Sequence, residues 1–324
     1  MANSRQMIAL LKSHVRRDDQ EFLSIAMEMA AAEARQGHTL VAQTLKNLID
    51  EAKKRPDLPN KPVLVVPNRS ELASLLLTTE SEVRLSDMVL PEELASRLGR
   101  IILEQRQQSR LREHGLRPRR KILLIGPPGS GKTMTAAALA GELHLPLSTI
   151  LLEGIITKFM GETATKLKLV FDAMTSMASV YFFDEFDALG AKRTQSNDVG
   201  EIRRVLNTFL QLLEKDDSGG LIIAATNHPE LLDKALFRRF DDVLEYGLPD
   251  GDVLSRILKN HLGKSADLKV DWNVVVDKAR GLSQADVSRA ATDALKHVLL
   301  HDHTHVTTDD LVSALDERIA FSQK

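Results

Sequence analysis

The middle of the chain alternates short apolar runs with stretches whose apolar residues recur every three or four positions. The runs, rich in Leu, Ile and Val, predict buried strands, and the longer stretches predict helices. The predicted strands are 121–125, 148–152, 179–183, 221–225 and 242–246. The predicted helices are 91–112, 132–143, 164–176, 199–214 and 230–237. This alternation predicts an α/β domain over 86–248, in which helices cover both faces of a parallel sheet.

Both flanks of this domain lack a strand pattern. Residues 1–54 repeat apolar positions along helical faces, with a break at Asp18–Asp19, and predict a small N-terminal helical domain. That domain is either a packing element or an adaptor that binds a partner, and its residues favour neither. Prolines interrupt the next stretch, so residues 55–85 are predicted to be a linker. Residues 249–324 return to helical periodicity alone and predict an all-helical domain.

Composition narrows the class of protein. The 324 residues include no cysteine, which excludes disulfides and thiolate metal sites. The formal net charge of −2 provides no reason to expect nucleic acid or an anionic membrane as a partner. No apolar run approaches the roughly 18 residues of a membrane span, and the N-terminus has no hydrophobic signal core. We therefore expect a soluble, cytoplasmic protein.

A glycine-rich loop separates the first predicted strand from the helix that follows it. The loop and helix start consist of Gly126, Pro127, Pro128, Gly129, Ser130, Gly131, Lys132, Thr133 and Met134. The glycines let backbone N–H groups approach phosphate oxygens, and the helix dipole favours the anion. Lys132 is expected to reach the β- and γ-phosphates, and the Thr133 hydroxyl to hold Mg²⁺. The complete G-x-x-x-x-G-K-[ST] pattern between strand and helix predicts a P-loop that binds ATP or GTP.

Polar residues end two further predicted strands. Asp184 and Glu185 follow the apolar run 179–183, and Asn227 ends the run that begins at Leu221. Beside a P-loop, Asp184 is expected to support Mg²⁺ and Glu185 to take a proton from the attacking water. Asn227 alone is a weak signal because asparagine is also a common turn former. We expect its side chain to orient the water or to contact the γ-phosphate.

The ordered set of the P-loop, Asp184–Glu185, Asn227 and Arg238–Arg239 resembles the AAA+ ATPases, specifically the AAA subfamily with its second region of homology. The resemblance covers roughly 86–320. It implies an α/β ATPase domain, a helical lid, and a homo-oligomeric ring, usually hexameric, with each nucleotide at a subunit interface. It also implies that Asn227 senses the γ-phosphate and that Arg238 and Arg239 are arginine fingers reaching the neighbour's ATP. Many relatives separate the two arginines, whereas here they are adjacent, so either could be the finger.

The helical lid contains two smaller matches to the family. His261 stands where relatives place a histidine near the base or ribose. The segment Gly281–Asp286, which includes Ala285, resembles the turn that begins a lid helix and contacts the nucleotide. Gln284 stands where relatives commonly have glycine.

Lys158, Phe159 and Met160 lie in a loop after the second predicted strand, where a bulky apolar pair has no obvious core to fill. The alternative to a functional loop is an anchor that packs on its own domain. In the family this loop lines the central pore and grips an unfolded polypeptide, and the resemblance favours that role. The loop Gly190–Gly200 is a candidate for a second, polar pore loop.

Four histidines near the C-terminus form the one cluster of metal-like spacing. His297 and His301 are one helical turn apart, as in a zinc pair. His303 and His305, however, fall in the predicted turn before the last helix, where solvated imidazoles are common. No metal ligand is predicted among them.

The sequence thus predicts a ring-forming ATP hydrolase that uses ATP and Mg²⁺ to remodel, unfold or thread a polypeptide client. The alternative is a nucleotide-dependent switch or assembly scaffold that threads no substrate. A DNA-directed motor has no basic, aromatic strip to support it. The chain contains no H-E-x-x-H or G-x-S-x-G motif, so any proteolysis would need a separate peptidase.

Overall fold

The structure is a computed structural model that describes residues 19–35, 38, 42–44, 46, 72, 74–156, 160–189, 199–232, 234–266, 269–301 and 303–322. The chain divides into two compact units, Met1–Val65 and Val66–Lys324. In the first unit, helix α1 spans Asp19–Arg35 and begins at the break predicted from the sequence.

The second unit contains a six-stranded sheet in the order β1-β3-β4-β5-β2-β6. Its strands are β1 Leu76–Thr79, β2 Lys121–Ile125, β3 Leu147–Ile150, β4 Val180–Phe183, β5 Leu221–Thr226 and β6 Asp242–Glu245. Strands β2 to β6 pair in parallel, and β1 pairs antiparallel with β3 at the edge. The predicted α/β fold is confirmed, and its parallel strands end within two residues of the predicted positions.

The helices alternate with these strands and then continue alone. Before and between the strands lie α2 Glu92–Arg106, α3 Gln108–Glu113, α4 Lys132–Leu143, α5 Leu152–Ile155, α6 Met160–Met174, α7 Val199–Lys215 and α8 Lys234–Phe237. The lid follows as α9 Gly251–Leu262, α10 Trp272–Ala279, α11 Gln284–Leu300 and α12 Thr308–Ser322. The predicted helix over 91–112 is broken at Gln107, whose N–H bonds to the carbonyls of Gln105 and Leu103.

The edge strand β1 was not predicted and lies within the segment 55–85 that the sequence indicated as a linker. Leu75, which precedes the strand, is fully buried, but the four strand residues are mostly exposed. The strand therefore has no clear alternation of apolar and polar residues in the sequence. It is held instead by pairing: Leu151 N donates to Leu75 O at 2.9 Å, and the Thr78 and Ser148 hydroxyls are 3.0 Å apart.

The sheet is buried on both faces, as its parallel strands require. Along β4, Tyr181 and Phe183 join the apolar cluster beneath α6 and α7, while Val180 and Phe182 join the cluster beneath α2 and α4. The lid has a separate core, which Val89 of the α/β part also enters. No helix among the described residues is long and apolar enough to cross a bilayer.

Candidate nucleotide site

The glycine-rich loop connects the carboxyl end of β2 to the N-terminus of α4. Its backbone needs glycine, because φ is positive at Gly126, Gly129 and Gly131 (150°, 73° and 101°). Gly131 is the N-cap of α4 and has no side chain to occupy the helix N-terminus. The amide groups at the start of α4 therefore remain available to an anion.

The Lys132 ammonium is held inside this loop. Its Nζ donates to the carbonyls of Gly126 and Pro127 at 2.8 Å each, and the residue is only 6% exposed. Burial lowers the pKa of Lys132, and the nearby carboxylates of Asp184 and Asp187 oppose that shift. A phosphate bound at the loop would favour the charged ammonium further.

Thr133, at the start of α4, and Asp184, directly after β4, are joined by a hydrogen bond. Thr133 Oγ1 donates to Asp184 Oδ2 at 2.9 Å, while Asp184 Oδ1 accepts from Glu185 N at 2.9 Å. The hydroxyl oxygen and the carboxylate oxygen lie next to each other and could both be ligands of Mg²⁺, which prefers oxygen ligands and is usually bound together with nucleotide phosphates. The two residues therefore fit the metal that a P-loop uses.

Sheet order explains why residues so far apart in sequence converge. Strand β5 lies between β2 and β4, with Thr226 paired to Ile125 and Ala224 paired to Phe183. Asn227, Asp184 and Glu185 consequently leave the sheet at the edge from which the P-loop starts.

The side chains of Glu185 and Asn227 make no hydrogen bond or ion pair within the described part of the chain. Glu185 is exposed and has a left-handed φ of 48°, a strained conformation for a residue other than glycine. Both side chains are therefore free to contact a ligand at the sheet edge.

Asp187 is a site residue that the sequence reasoning missed. Thr226 Oγ1 donates to Asp187 Oδ1 at 2.7 Å and accepts from His228 N at 2.9 Å. These bonds fix the end of β5 that bears Asn227. The available signal was a third acidic residue after the strand, three positions beyond Asp184.

The adjacent arginines differ in their surroundings. Arg239 forms an ion pair with Glu214 near the end of α7, and both side chains are about two-fifths exposed (44% and 41%). Arg238 is exposed and has no polar partner among the described residues. Phe240, which follows them, is buried and packs edge-on against Phe186, with ring centroids 6.4 Å apart. The contacts of Arg239 and Phe240 therefore anchor the corner 238–240, which follows α8, whereas Arg238 is exposed and has no polar partner among the described residues.

The lid contacts the P-loop at Ala285, and the predicted lid contacts with the nucleotide stay predictions. Ala285 N donates to Gly129 O at 3.0 Å. His261 is exposed, and its Nδ1 lies 3.2 Å from the carbonyl oxygen of Ile257 on its own helix. That is its one polar contact within the described residues, and its predicted position near the base or ribose stays a prediction.

The predicted pore loop is not tested by the structure. Lys158 and Phe159 lie outside the described residues, Met160 begins α6, and residues 190–198 of the second candidate loop also lie outside them. The centroids of the His297 and His301 rings are 4.3 Å apart, and the two ring planes are tilted by 33°. Within the described residues, no group of three or more His, Cys, Asp or Glu side chains is arranged to hold a metal ion.

A parallel sheet covered on both faces, with a P-loop after one strand and an acidic pair after another, defines a P-loop nucleoside triphosphatase. Residues 122–248 match the family model described as ATPase family associated with various cellular activities (AAA). An uncharacterised AAA family ATPase of Sinorhizobium fredii, y4kL, is 33% identical over 320 residues, which cover 98% of this chain and 96% of that protein. The chain belongs to the AAA family of ATPases and is an ATP hydrolase.

Two further comparisons concern other members. The proteasome-activating nucleotidases of Pyrococcus abyssi and Thermococcus kodakarensis are each 37% identical, over 220 and 218 residues respectively. The aligned part is 65% of this chain and 55% of each nucleotidase, so the chain spans about half their length. The crystal structure of the FIGL-1 AAA domain superposes with a TM-score of 0.63 at 23% identity, over 82% of this chain and 98% of that one. That similarity shows the fold.

Gly126→Ala is expected to destabilise the protein by about 2 kcal/mol or more. A Cβ at this position would overlap the carbonyl oxygen of Tyr246. That tyrosine cannot move easily, because its hydroxyl bonds to Thr135 Oγ1 at 2.6 Å and its N–H to Ile125 O at 2.7 Å. Burial raises the pKa of Tyr246 to about 12, so the phenol stays neutral.

Gly99→Ala is the matched control, and urea unfolding is the measurement. Gly99 lies in α2 with no atom within 4 Å of an added Cβ. Alanine there should stabilise the protein by about 0.5–1 kcal/mol, because glycine is unfavourable inside a helix. Equal effects of the two substitutions would contradict the steric argument.

Proposed function

We propose that the chain is the subunit of a homo-oligomeric ring of six copies that couples ATP hydrolysis to remodelling, unfolding or threading of a polypeptide client. The observation on which this rests is the convergence of Thr133, Asp184, Glu185 and Asn227 beside the P-loop. The Thr133–Asp184 hydrogen bond of 2.9 Å ties the two sides of that site together. The Glu185 carboxylate is free to activate water for ATP hydrolysis, and an assembly scaffold that only binds ATP would not need such a group.

Each group of the site has a chemical role in this proposal. Lys132 and the P-loop amides hold the triphosphate, and Thr133 and Asp184 would hold Mg²⁺, which would neutralise phosphate charge. Glu185 removes a proton from the attacking water, and Asn227 orients that water or the γ-phosphate. Asp187 positions Asn227 through Thr226.

Similarity to proteasome-activating nucleotidases supports a polypeptide client and a separate peptidase partner. By their name, those proteins activate the proteasome, and this chain shares 37% identity with the one from Pyrococcus abyssi over 220 residues. The Lys158-Phe159-Met160 segment is the proposed grip on the client. We further propose that the protein acts in the cytoplasm.

Phe159→Ala is expected to abolish client capture while leaving basal ATPase activity within about twofold, because Phe159 is not among the residues assigned to the phosphates, Mg²⁺ or the attacking water. Capture is measured with casein, a permanently unfolded polypeptide, in the Glu185→Gln background with ATP. The capture arms are Glu185→Gln alone and Glu185→Gln with Phe159→Ala, and ATPase activity is compared between the unsubstituted protein and Phe159→Ala alone.

Met177→Ala in the same background is the control, because Met177 is another large apolar side chain, 41% exposed, at a surface turn. Capture should survive this substitution. If Phe159→Ala captures casein as well as Glu185→Gln alone, the threading role of Phe159 is contradicted and the scaffold alternative gains support.

A further inference from the structure

A polar cavity of about 310 Å³ lies at the end of the sheet opposite the P-loop. Lys121 begins β2 and pairs in parallel with Ile222 near the start of β5, so the amino ends of both strands lie here, while the P-loop follows the carboxyl end of β2. The segment before β2 and the turn before β5 form part of the lining. A ligand in this cavity would therefore not overlap the nucleotide.

Buried polar groups form the inner wall of this cavity. The Arg120 side chain is 12% exposed and forms an ion pair of 2.8 Å with Asp216, whose side chain is 1% exposed. Ser218 Oγ donates to the same carboxylate at 3.1 Å, and the buried Gln105 amide donates to the Arg119 carbonyl. These bonds hold the wall in place without a ligand, so the cavity is preorganised. The Asp216 carboxylate also neutralises the charge of Arg120.

Two exposed arginines line the outer part of the cavity. Arg112 Nη2 donates to Gln108 Oε1 at 3.2 Å, which is its one side-chain hydrogen bond or ion pair within the described residues. Arg117 Nη1 lies 3.3 Å from Asp217 Oδ1, and both of these side chains are 78% exposed. An ion pair this open to water is weak and gives way to a better partner. Both planar guanidiniums are therefore available to a carboxylate, which a guanidinium can bind through two parallel hydrogen bonds.

The chain around the cavity carries a surplus of positive charge, although the whole protein does not. Residues 106–121 contain seven basic residues and one acidic residue, whereas the formal net charge of the chain is −2. Three of the seven, Arg106, Arg119 and Arg120, form ion pairs with carboxylates that are at most 22% exposed. Within the described residues, Arg112 and Arg117 have no such partly buried partner. A local surplus of this kind attracts an acidic partner.

The composition of this segment favours a polypeptide as the partner. Residues 106–121 contain no Phe, Tyr or Trp, so they provide no platform on which nucleic-acid bases could stack. Leu116, next to Arg117, is 57% exposed and offers an apolar contact beside the charges. A cavity of this size accepts a carboxylate side chain, whereas a nucleic-acid backbone needs a continuous basic groove.

We propose that this cavity is a docking site for an acidic segment of a partner polypeptide. A Glu or Asp side chain of that segment enters the cavity, where its carboxylate accepts hydrogen bonds from Arg112 and Arg117. It displaces Asp217, which holds Arg117 only loosely. Because the cavity lies at the opposite end of the sheet from the P-loop, the partner can stay bound while nucleotide binds.

The test measures the Kd of a fluorescent oligoglutamate peptide by anisotropy, with and without saturating ADP and Mg²⁺. Arg112→Glu and Arg117→Glu are each expected to raise this Kd about tenfold or more at low salt, because a carboxylate in the cavity then meets a like charge instead of a donor. Asp217→Asn removes the competing carboxylate and should lower the Kd about threefold, which a merely destabilising change would not do. Saturation with ADP should change the Kd less than about twofold.

Arg100→Glu is the matched control, since Arg100 is an exposed arginine of α2 that does not line the cavity. It carries the same change of charge and should leave the Kd within about twofold. An oligoglutamine peptide, which has no charge, should not bind. Random duplex DNA serves as a competing polyanion and should bind less tightly than oligoglutamate at equal salt.

Several results would overturn the docking site. The unsubstituted protein could fail to bind oligoglutamate, or Arg112→Glu and Arg117→Glu could leave the Kd unchanged. An equal rise of the Kd in Arg100→Glu would reduce binding to a general attraction by charge, and displacement of the peptide by ADP would place it at the P-loop. Tighter binding of duplex DNA that is lost in Arg112→Glu would assign the cavity to nucleic acid instead.

Discussion

Glu185→Gln should bind ATP with an affinity within about threefold of the unsubstituted protein and hydrolyse it at least about 100-fold more slowly. The substitution is isosteric and removes only the basic oxygen. Glu185 makes no bond within the described structure that glutamine would break, and its backbone accepts the left-handed φ of 48° for either residue at similar cost. The loss should therefore appear in kcat.

The measurements are ATP titration at equilibrium and steady-state phosphate release. Glu153→Gln is the control because Glu153 is an exposed carboxylate in α5 whose side chain has no hydrogen bond or ion pair within the described residues. Its kcat should not change. A Glu185→Gln protein that turns over ATP at the unsubstituted rate would remove Glu185 from the role of general base.

The sequence predicts best the parts of the fold whose cause is local. The strands β2, β4 and β5 are mostly apolar runs because both faces of the sheet are buried, and β4 and β5 are each followed by a polar residue, Asp184 and Asn227. The P-loop is equally local, since it needs glycine at positions of positive φ and a lysine and threonine at the helix start. These features account for the correct prediction of the α/β fold and for the residues assigned to its phosphate site.

Features that depend on pairing between distant segments could not be predicted. Strand β1 exists because Leu75 and Thr78 bond to the segment around β3, seventy or more positions away, and its own composition is ambiguous. The ion pair between Arg239 and Glu214 is likewise invisible until α7 and the corner after α8 are placed side by side. The sequence alone therefore left the two arginines equivalent.

The ion pair changes what is expected of the arginines. Arg238→Ala should lower kcat by about 1,000-fold and leave ATP affinity nearly unchanged, because an unpaired guanidinium is free to stabilise phosphoryl charge in a neighbouring subunit. Arg239→Ala should cost only about tenfold, through loss of the corner's anchor to Glu214. Glu214→Gln should resemble Arg239→Ala if the pair positions the corner. A larger loss for Arg239→Ala than for Arg238→Ala would reverse the assignment.

Mixed rings test whether the site is shared between subunits. Lys132→Ala subunits have intact arginines, and Arg238→Ala subunits have intact P-loops, so neither kind should hydrolyse ATP alone. In an equal, random mixture about one quarter of the interfaces combine the two intact halves, and about that fraction of normal turnover per subunit should return. Lys132→Ala mixed with Glu185→Gln is the control, because both defects lie in the same half of the site and no interface becomes complete. If differently tagged Lys132→Ala and Arg238→Ala subunits co-purify in one ring and hydrolysis does not return, Arg238 does not act in the neighbour's site.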